Sequence, residues 1–325
     1  MEPLPAGANF LRCKMLWEIA LDIAGDPATP YHGNRDMTIT VGRGSGSSFA
    51  PWLRMATGAP HLAFAVARGE LDLAVVNPSG LLTQAYRGTG LFNEPLPVRI
   101  VANYPSWDRF VMLVHPRTGI TSLADLKARR YPLRLSTRED PNHSTRVLIS
   151  QLLGLHGFGF ADLTAWGGSE QLNKGPGDAR RLRAIAEESV DAIFDEGLGT
   201  WLDTALAAGY RPLELDAAEW ARVTALGWRR GTMPAGTFPH LAADHDCVDF
   251  SGWPLYSRAD LPEADAYRIV AAIHARADEI PWENITGRSP FTGVGPLGVE
   301  TPATPRDVPL HPGAARWFRE HGFEV

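Results

Sequence analysis

Short apolar runs that read as β-strands alternate with longer runs at helical spacing through most of this chain. Strands are predicted at 37–41, 71–76 and 133–137, and helices at 49–56 and 147–155. Alternation of this kind is typical of βα units, which build a largely parallel sheet. A chain of 325 residues is long for a single core, so we predict two α/β domains. Further strands are predicted at 98–102, 110–115, 191–194, 212–215 and 253–257, and further helices at 61–68, 119–126, 180–188, 263–279 and 312–321.

Two of the predicted strand-to-helix junctions are rich in small hydroxyl-bearing residues. The sequence is GRGSGSS at 42–48 and NHSTR at 142–146. A helix start leaves backbone N–H groups unpaired at the positive end of the helix dipole, where a carboxylate or phosphate can bind. Two such junctions in one chain predict two lobes that face one small anionic ligand across a cleft.

The bulk composition excludes several classes of partner. The net charge is −6 and no basic cluster is present, which argues against nucleic-acid binding. No apolar run reaches the ~18 residues that a transmembrane helix requires. Cys13 and Cys247 are the only cysteines and set no disulfide framework. A bond between them is one interpretation, and two buried free thiols are the other.

The N-terminal segment lacks the form of a secretory signal. Two acidic residues, Glu18 and Asp22, interrupt its apolar stretch, and the apolar residues around them recur at helical spacing. We therefore expect an amphipathic helix over 9–24 that packs on the body of the protein. We also expect a cytoplasmic protein, or a periplasmic one if a signal peptide has been removed ahead of the first residue.

Seven short segments follow one another in a fixed order along residues 37–325. They are TITVG at 38–42, RGELDLAVV at 68–76, GITSLADLK at 119–127, STR at 144–146, PAGTFP at 234–239, SRADLP at 257–262 and PLHPGAA at 309–315. Together they resemble the TAXI-type solute receptors of tripartite (TRAP) transporters, within the periplasmic-binding-protein fold.

The resemblance implies a type II, two-lobe α/β fold with a ligand cleft at the hinge. Lobe one would combine 37–110 with 225–325, lobe two would be 111–224, and 1–36 would form an N-terminal helical extension. The ligand would be a small carboxylate, and a membrane transporter would be a partner only if a signal peptide had been removed. The chain departs from the family at 57–60, where TGAP replaces an expected strand and ligand loop.

The first group of candidate ligand-binding residues lies at the ends of the two N-terminal strands. Hydroxyls and N–H groups of the 42–48 loop would hold an anion, or would only cap the helix that follows. Two residues after the 71–76 strand lie where open α/β sheets bind ligands, although Asn-Pro-Ser-Gly is also ordinary turn chemistry. The candidates in this group are Ser45, Gly46, Ser47, Ser48, Asn77 and Ser79.

The second group surrounds the helix start at 142–146. Its hydroxyls favour an anion, and Arg146 would add a bidentate guanidinium unless it pairs with a surface carboxylate. Trp107 would stack on a ring or cover the cleft, unless it packs on the lobe surface. The candidates in this group are Trp107, Ser136, Thr137, Ser144, Thr145, Arg146 and Glu196.

Two functions remain open at this point. The first is a solute-binding protein that holds a small carboxylate. The second is a cofactor-free cytoplasmic decarboxylase or lyase acting on an aromatic or small organic acid, with His143, Asp195 and Glu196 as candidates for proton transfer. Asp195 and Glu196 are adjacent on an extended strand, so only one is expected to reach a ligand. Since the sequence contains no recognised catalytic motif, metal-ligand set or cofactor fingerprint, we predict a binder that uses no metal or cofactor.

Overall fold

The computed structural model describes residues 8–25, 28, 37–45, 48–277, 280, 300–301 and 304–325. Its strands form two mixed sheets. The first sheet has the order β1-β2-β3-β12-β4, with β1 Met37–Ser45, β2 Ser48–Thr57, β3 Leu73–Val75, β4 Val98–Tyr104 and β12 Trp253–Arg258. The second has the order β10-β11-β5-β8-β6-β7, with β9 also on β5; its strands are β5 Arg109–Val114, β6 Arg134–Arg138, β7 Ser169–Asn173, β8 Ala192–Asp195, β9 Arg211–Pro212, β10 Arg229–Met233 and β11 His245–Asp249.

Eleven α-helices connect these strands or flank them within the described residues. They are α1 Ala8–Gly25, α2 Leu62–Ala67, α3 Ser79–Arg87, α4 Leu123–Ala128, α5 Ser144–Leu155, α6 Phe160–Ala165, α7 Ala179–Ala186, α8 Leu202–Ala207, α9 Ala217–Leu226, α10 Glu263–Ala275 and α11 Pro312–Glu320. Ser122 caps α4, because the Asp125 N–H donates to its hydroxyl over 3.0 Å.

The chain passes between the two sheets twice, from β4 to β5 at 104–109 and from β11 to β12 at 249–253. This arrangement confirms the α/β, two-lobe, periplasmic-binding-protein-like fold class. The expectation of largely parallel sheets is wrong, because among the described strands only the pairs β2–β3, β6–β7 and β6–β8 are parallel. β5 and β12 are the first strands after the two passages between the sheets. Both run antiparallel to their neighbours.

The second passage lies later in the chain than the sequence-based boundary at 225. β10 and β11 follow that boundary and nevertheless pair into the second sheet, through β5. The predicted elements missed both strands, as well as β7, α3, α6, α8 and α9. Of the segment 282–309, for which no strand or helix is predicted, the structure describes residues 300–301 and 304–309.

The predicted helix at 49–56 is wrong, because these residues form β2 in an antiparallel hairpin with β1. Pro51 is unsuited to a helix interior, and it lies where the β1–β2 register shifts, an irregularity that tolerates proline. Ser45 and Ser48 are paired across this hairpin, whereas Gly46 and Ser47 lie outside the described residues. The first predicted helix start is therefore absent, so no helix dipole supports an anion site there, and ligand binding by the 42–48 loop stays a prediction.

Helix α1 confirms the predicted helix at 9–24 but not its predicted packing. Five of its large apolar side chains are exposed instead of packed on the body. Within the described part of the chain, no helix is long and apolar enough to cross a membrane.

Helix α3 packs closely against Trp228 and helix α5. A Cβ at Gly80 would lie 2.8 Å from the Trp228 ring, so only glycine allows this approach. The Trp228 Nε1–H group donates to Gln151 over 2.6 Å, and the Gln151 amide donates to Gln84 over 2.9 Å. These contacts hold α3 against α5.

Candidate functional site

The candidate site lies where β3, β6 and β8 end. β6 and β8 are parallel, with Ser136 opposite Ile193, so their carboxyl ends lie at the same edge of the second sheet. After β6 the chain turns into α5, and β8 ends at Asp195. The first sheet contributes the end of β3, where Asn77 and Ser79 follow. These are the strand ends at which open α/β sheets hold ligands.

Asn77 and Ser144 join the first sheet to the start of α5. The Ser144 hydroxyl donates to the backbone oxygen of Asn77. The Asn77 side-chain amide donates to the carbonyls of Phe250, over 3.3 Å, and of Gly252, over 3.2 Å. The structure therefore brings these two predicted site residues into direct contact, beside the passage from β11 to β12.

Two buried hydroxyl groups, one at the end of β6 and one in the first turn of α5, have no hydrogen-bond partner within the described part of the chain. The His143 Nδ1 atom accepts the Thr145 N–H over 3.2 Å, so His143 acts as the helix cap. The hydroxyls of Thr137, at the end of β6, and Thr145, in the first turn of α5, are buried and have no hydrogen-bond partner among the described residues. Buried hydroxyls are usually satisfied, so these two are exceptions in this region, and a contact with ligand stays a prediction.

Arg146 is engaged by protein groups. Its guanidinium pairs with the Glu170 carboxylate on β7. It also lies over the Phe160 ring, 3.6 Å from the ring centroid. The pairing with a carboxylate is the alternative that the sequence left open, and it neutralises the charge that an anionic ligand would otherwise meet.

A buried ionic cluster lies at the ends of β6 and β8 and on α7. Its members are Arg138, Arg181, Asp195 and Glu196. Arg138 Nε donates to Asp195 Oδ1 over 2.9 Å, and its Nη2 atom pairs with Glu196. Arg181 Nη1 lies 2.5 Å from Asp195 Oδ2. This last contact is an ion pair by distance, since Oδ2 accepts no well-directed hydrogen bond from the described residues. Arg181 Nε donates to the Ser136 hydroxyl over 3.2 Å.

The charges in this cluster balance, because two guanidinium groups face two carboxylates. Burial lowers the pKa of Arg181 from its ordinary value, and the attraction of Asp195 opposes that shift. The cluster ties α7 to the ends of β6 and β8 and offers no net charge to a ligand. The three candidate catalytic side chains, His143, Asp195 and Glu196, thus hold structural positions, which lends no support to the enzyme alternative.

Trp107 packs into the second sheet. It is buried in a core cluster with Val111 and Phe238, and the Arg109 guanidinium lies 4.7 Å from its ring centroid. Arg109 in turn pairs with Asp249 at 2.6 Å. Packing on the lobe is again the alternative that the sequence left open, and a contact with ligand stays a prediction.

Sequence reasoning missed four polar residues of this region. Asp108 accepts the Gly197 N–H with both carboxylate oxygens, at 3.1 and 3.2 Å. The Asn173 amide donates to the Ser136 hydroxyl and, over 2.9 Å, to the Thr137 carbonyl. Alternation along a strand would have identified Arg138, which shares a face with Ser136. The missed residues are Asp108, Arg138, Asn173 and Arg181.

Comparisons with known proteins place most of the chain in one family. The model of the NMT1-like family matches residues 54–322. Among solved structures, the alkanesulfonate-binding protein SsuA from Xanthomonas axonopodis pv. citri, bound to MOPS, is 17% identical with a TM-score of 0.30, over 68% of this chain and 63% of that protein. The match therefore spans less than two thirds of that protein's length.

Two other solved structures are similarly distant. XAC2383 from Xanthomonas citri, bound to a chloride ion, is 14% identical with a TM-score of 0.37, over 80% of this chain and 78% of that one. The L-cystine solute receptor of Neisseria gonorrhoeae is 15% identical with a TM-score of 0.27, over 67% of each chain. Likenesses this low assign no ligand to the present chain.

Proposed function

The chain belongs to the NMT1-like family, and we propose that it is a solute-binding protein that holds a small ligand at the start of α5. The observation that best supports this proposal is the pair of buried hydroxyls of Thr137 and Thr145, for which the described residues supply no hydrogen-bond partner. They lie at a strand end and a helix start, next to the contact between Ser144 and Asn77.

The ligand we propose is a small carboxylate. The 12-residue helix α5 presents its positive end to the site, a position that favours an anion by about 0.3–1 kcal/mol. Because Arg146 is paired with Glu170, recognition would depend on hydroxyl and N–H donors instead of a guanidinium. Sulfonates and phosphates present oxyanions to the same donors, so they belong in any screen.

We propose that each sheet marks one lobe and that the passages at 104–109 and 249–253 act as the hinge. This places the second boundary near 250 instead of 225, because β10 and β11 belong to the second sheet. Closure of two lobes around a ligand is a common motion in proteins of this architecture. In this proposal the hydrogen bond from Ser144 to Asn77 breaks when the ligand enters and forms again when the lobes close.

A receptor of this kind delivers its ligand to a membrane transporter. We therefore propose a transporter partner and a periplasmic location in place of the cytoplasmic one expected from the first residues. Membership of the TAXI type, with a TRAP transporter as partner, is the finer hypothesis that the seven ordered segments support.

The test is a calorimetric and thermal-shift screen with carboxylates, sulfonates and phosphates, on the parent protein and on Thr137→Val and Thr145→Val. Each variant removes a hydroxyl that has no partner in the described part of the protein, so the unliganded melting temperature should stay the same or rise. Ligand affinity should fall at least tenfold. Thr224→Val is the matched control, because the Thr224 hydroxyl bonds only to carbonyls of its own helix.

Three results would contradict this proposal. The first is a screen without any ligand that raises the melting temperature. The second is a ligand whose affinity is unchanged in both threonine variants. The third is recovery of a hit as a chemically altered product by mass spectrometry, which would favour the enzyme alternative.

A further inference from the structure

Helices α3 and α5 meet across the boundary between the two sheets. Helix α3 connects β3 to β4 of the first sheet, whereas α5 follows β6 of the second. The side-chain amides of Gln84 on α3 and Gln151 on α5 donate to each other over 3.0 and 2.9 Å. The Ser144 hydroxyl at the start of α5 donates to the backbone oxygen of Asn77, just before α3. Two polar contacts therefore join an element of the first sheet to one of the second.

These two contacts lie in one register. Both join residues that are 67 positions apart in the chain, so the contacts follow one another at an interval of seven residues on either segment. Seven residues are close to two turns at 3.6 residues per turn and about 10 Å at 1.5 Å per residue. Ser144 and Gln151 are therefore on one face of α5, and that face runs parallel to the segment from Asn77 to Gln84.

The turn between α9 and β10 lies against another part of α3. The Trp228 ring, in this turn, lies against Gly80, and its Nε1–H group donates to the Gln151 side chain over 2.6 Å. The Thr89 hydroxyl, just after α3, donates to the Leu226 carbonyl at the end of α9 over 2.5 Å. Two elements that belong to the second sheet thus contact α3, one from α5 and one from this turn.

Helix α3 is enclosed by these contacts. Seven of its nine residues are buried, and Gln84 is completely buried. A buried amide that loses its hydrogen-bond partner costs free energy unless water replaces that partner. Separation of the two sheets would therefore have to break the pair of Gln84 and Gln151 and expose α3 to water.

We propose that Gln84, Gln151 and Trp228 form an interlobe latch that keeps the two lobes closed and so controls entry and release of the solute. The inference rests on the proposed function in one respect, the assignment of one lobe to each sheet. Every group of the latch belongs to the protein, so the latch acts whether or not a ligand is bound. The lobes then separate only transiently, and a ligand enters or leaves during those separations.

The Trp228 indole N–H group reports this separation directly. It is buried and donates to Gln151, so it exchanges with solvent only when the latch opens. The test is hydrogen exchange of this group by NMR in the full chain without ligand, with Trp228→Phe to assign its signal. Gln84→Met keeps the length of the side chain and removes the amide pair, so the exchange rate should rise at least about tenfold.

Two controls distinguish opening of the latch from a general loss of stability. The Trp201 indole N–H group donates to the Glu196 carbonyl over 2.9 Å, on one side of the latch, and should keep its exchange rate in Gln84→Met. Gln171→Met is the matched variant, because the Gln171 side chain bonds to residues of β6 and β7 within the second sheet. It should leave the Trp228 exchange rate unchanged.

Small-angle X-ray scattering measures the separation of the lobes themselves. The parent should have a radius of gyration of roughly 20 Å, as expected of a compact chain of this length, and the double variant Gln84→Met with Trp228→Phe should have a larger one. The proposal would be overturned by an unchanged Trp228 exchange rate in Gln84→Met, by equal acceleration of the Trp201 signal, or by identical scattering of parent and double variant. None of these measurements uses a ligand, so a solute screen without hits would refute the proposed function and not the latch.

Discussion

Removal of the Asp195 carboxylate should be the most damaging single change at the ends of β6 and β8. Asp195 is completely buried and accepts from Arg138 Nε and from the Glu196 N–H, each over 2.9 Å. It also pairs with Arg181 at 2.5 Å. In Asp195→Ala, two buried guanidinium groups would share the single carboxylate of Glu196.

The expected loss is about 3–5 kcal/mol, because breaking a buried ion pair leaves an uncompensated buried charge. The individual hydrogen bonds are part of this figure and are not added to it. A loss of this size is a large share of the roughly 5–15 kcal/mol by which most proteins are stable. At about 2–4 °C per kcal/mol for a chain of several hundred residues, the melting temperature should fall by roughly 10 °C.

The assay is urea unfolding followed by circular dichroism, with Asp260→Ala as the control. Asp260 pairs with Arg258 at a similar distance, 2.7 Å, but its side chain is 76% exposed. Such a surface pair contributes at most about 1 kcal/mol. The double change Arg181→Met with Asp195→Ala leaves the balanced pair of Arg138 and Glu196, so it should recover part of the loss.

The reasoning would be refuted if Asp195→Ala and the surface control lowered the unfolding midpoint by the same amount. That result would mean that water reaches the two guanidinium groups and that the cluster is not desolvated. Failure of the double variant to recover any stability would refute the charge-balance argument specifically.

Three further predictions concern packing, acid stability and thiol reactivity. Gly80→Ala should cost about 1–3 kcal/mol in urea unfolding, because the new methyl group would overlap a buried tryptophan ring; Gly154→Ala, where a Cβ meets nothing within 4 Å, should be neutral or stabilising. Burial would raise the pKa of Asp191, but hydrogen bonds from two arginines hold it below its ordinary value. Its contribution is therefore present above about pH 4 and lost below it, and an acid titration of Asp191→Asn should lack that component. Burial raises the pKa of Cys247 to about 12. In a variant with the other cysteine replaced by serine, the native protein should therefore not react with a thiol reagent at pH 8, whereas the unfolded protein should react. Rapid labelling of the native protein would contradict the burial of Cys247.

The helix start at α5 was predictable because its determinants are adjacent in the sequence. The strand at 133–137, the polar turn after it and the helix cap at His143 follow one another directly in the sequence. The ion pair between Arg138 and Asp195 was not predictable, because the two residues are 57 positions apart and meet only through the pairing of β6 with β8. That pairing is a tertiary property of the sheet.

The error at β2 has a different cause. The residues at 49–56 mix helix-compatible and strand-compatible types, and a glycine-rich loop before them favoured a helix start in the sequence analysis. The outcome was decided by two neighbours, since β2 pairs with β1 on one side and with β3 on the other. β-propensity depends on such partners, and no local pattern records them.

The two passages of the chain between the sheets have a consequence for synthesis. All strands of the second sheet lie within 109–249, whereas the first sheet needs β12 at Trp253–Arg258 to join β3 to β4. During translation the second sheet is therefore complete before the strand that closes the first has been made. We expect the segment 109–249 to fold on the ribosome first. Until the last quarter of the chain is synthesised, β1 to β4 should stay unpaired with β12 and accessible to chaperones and proteases.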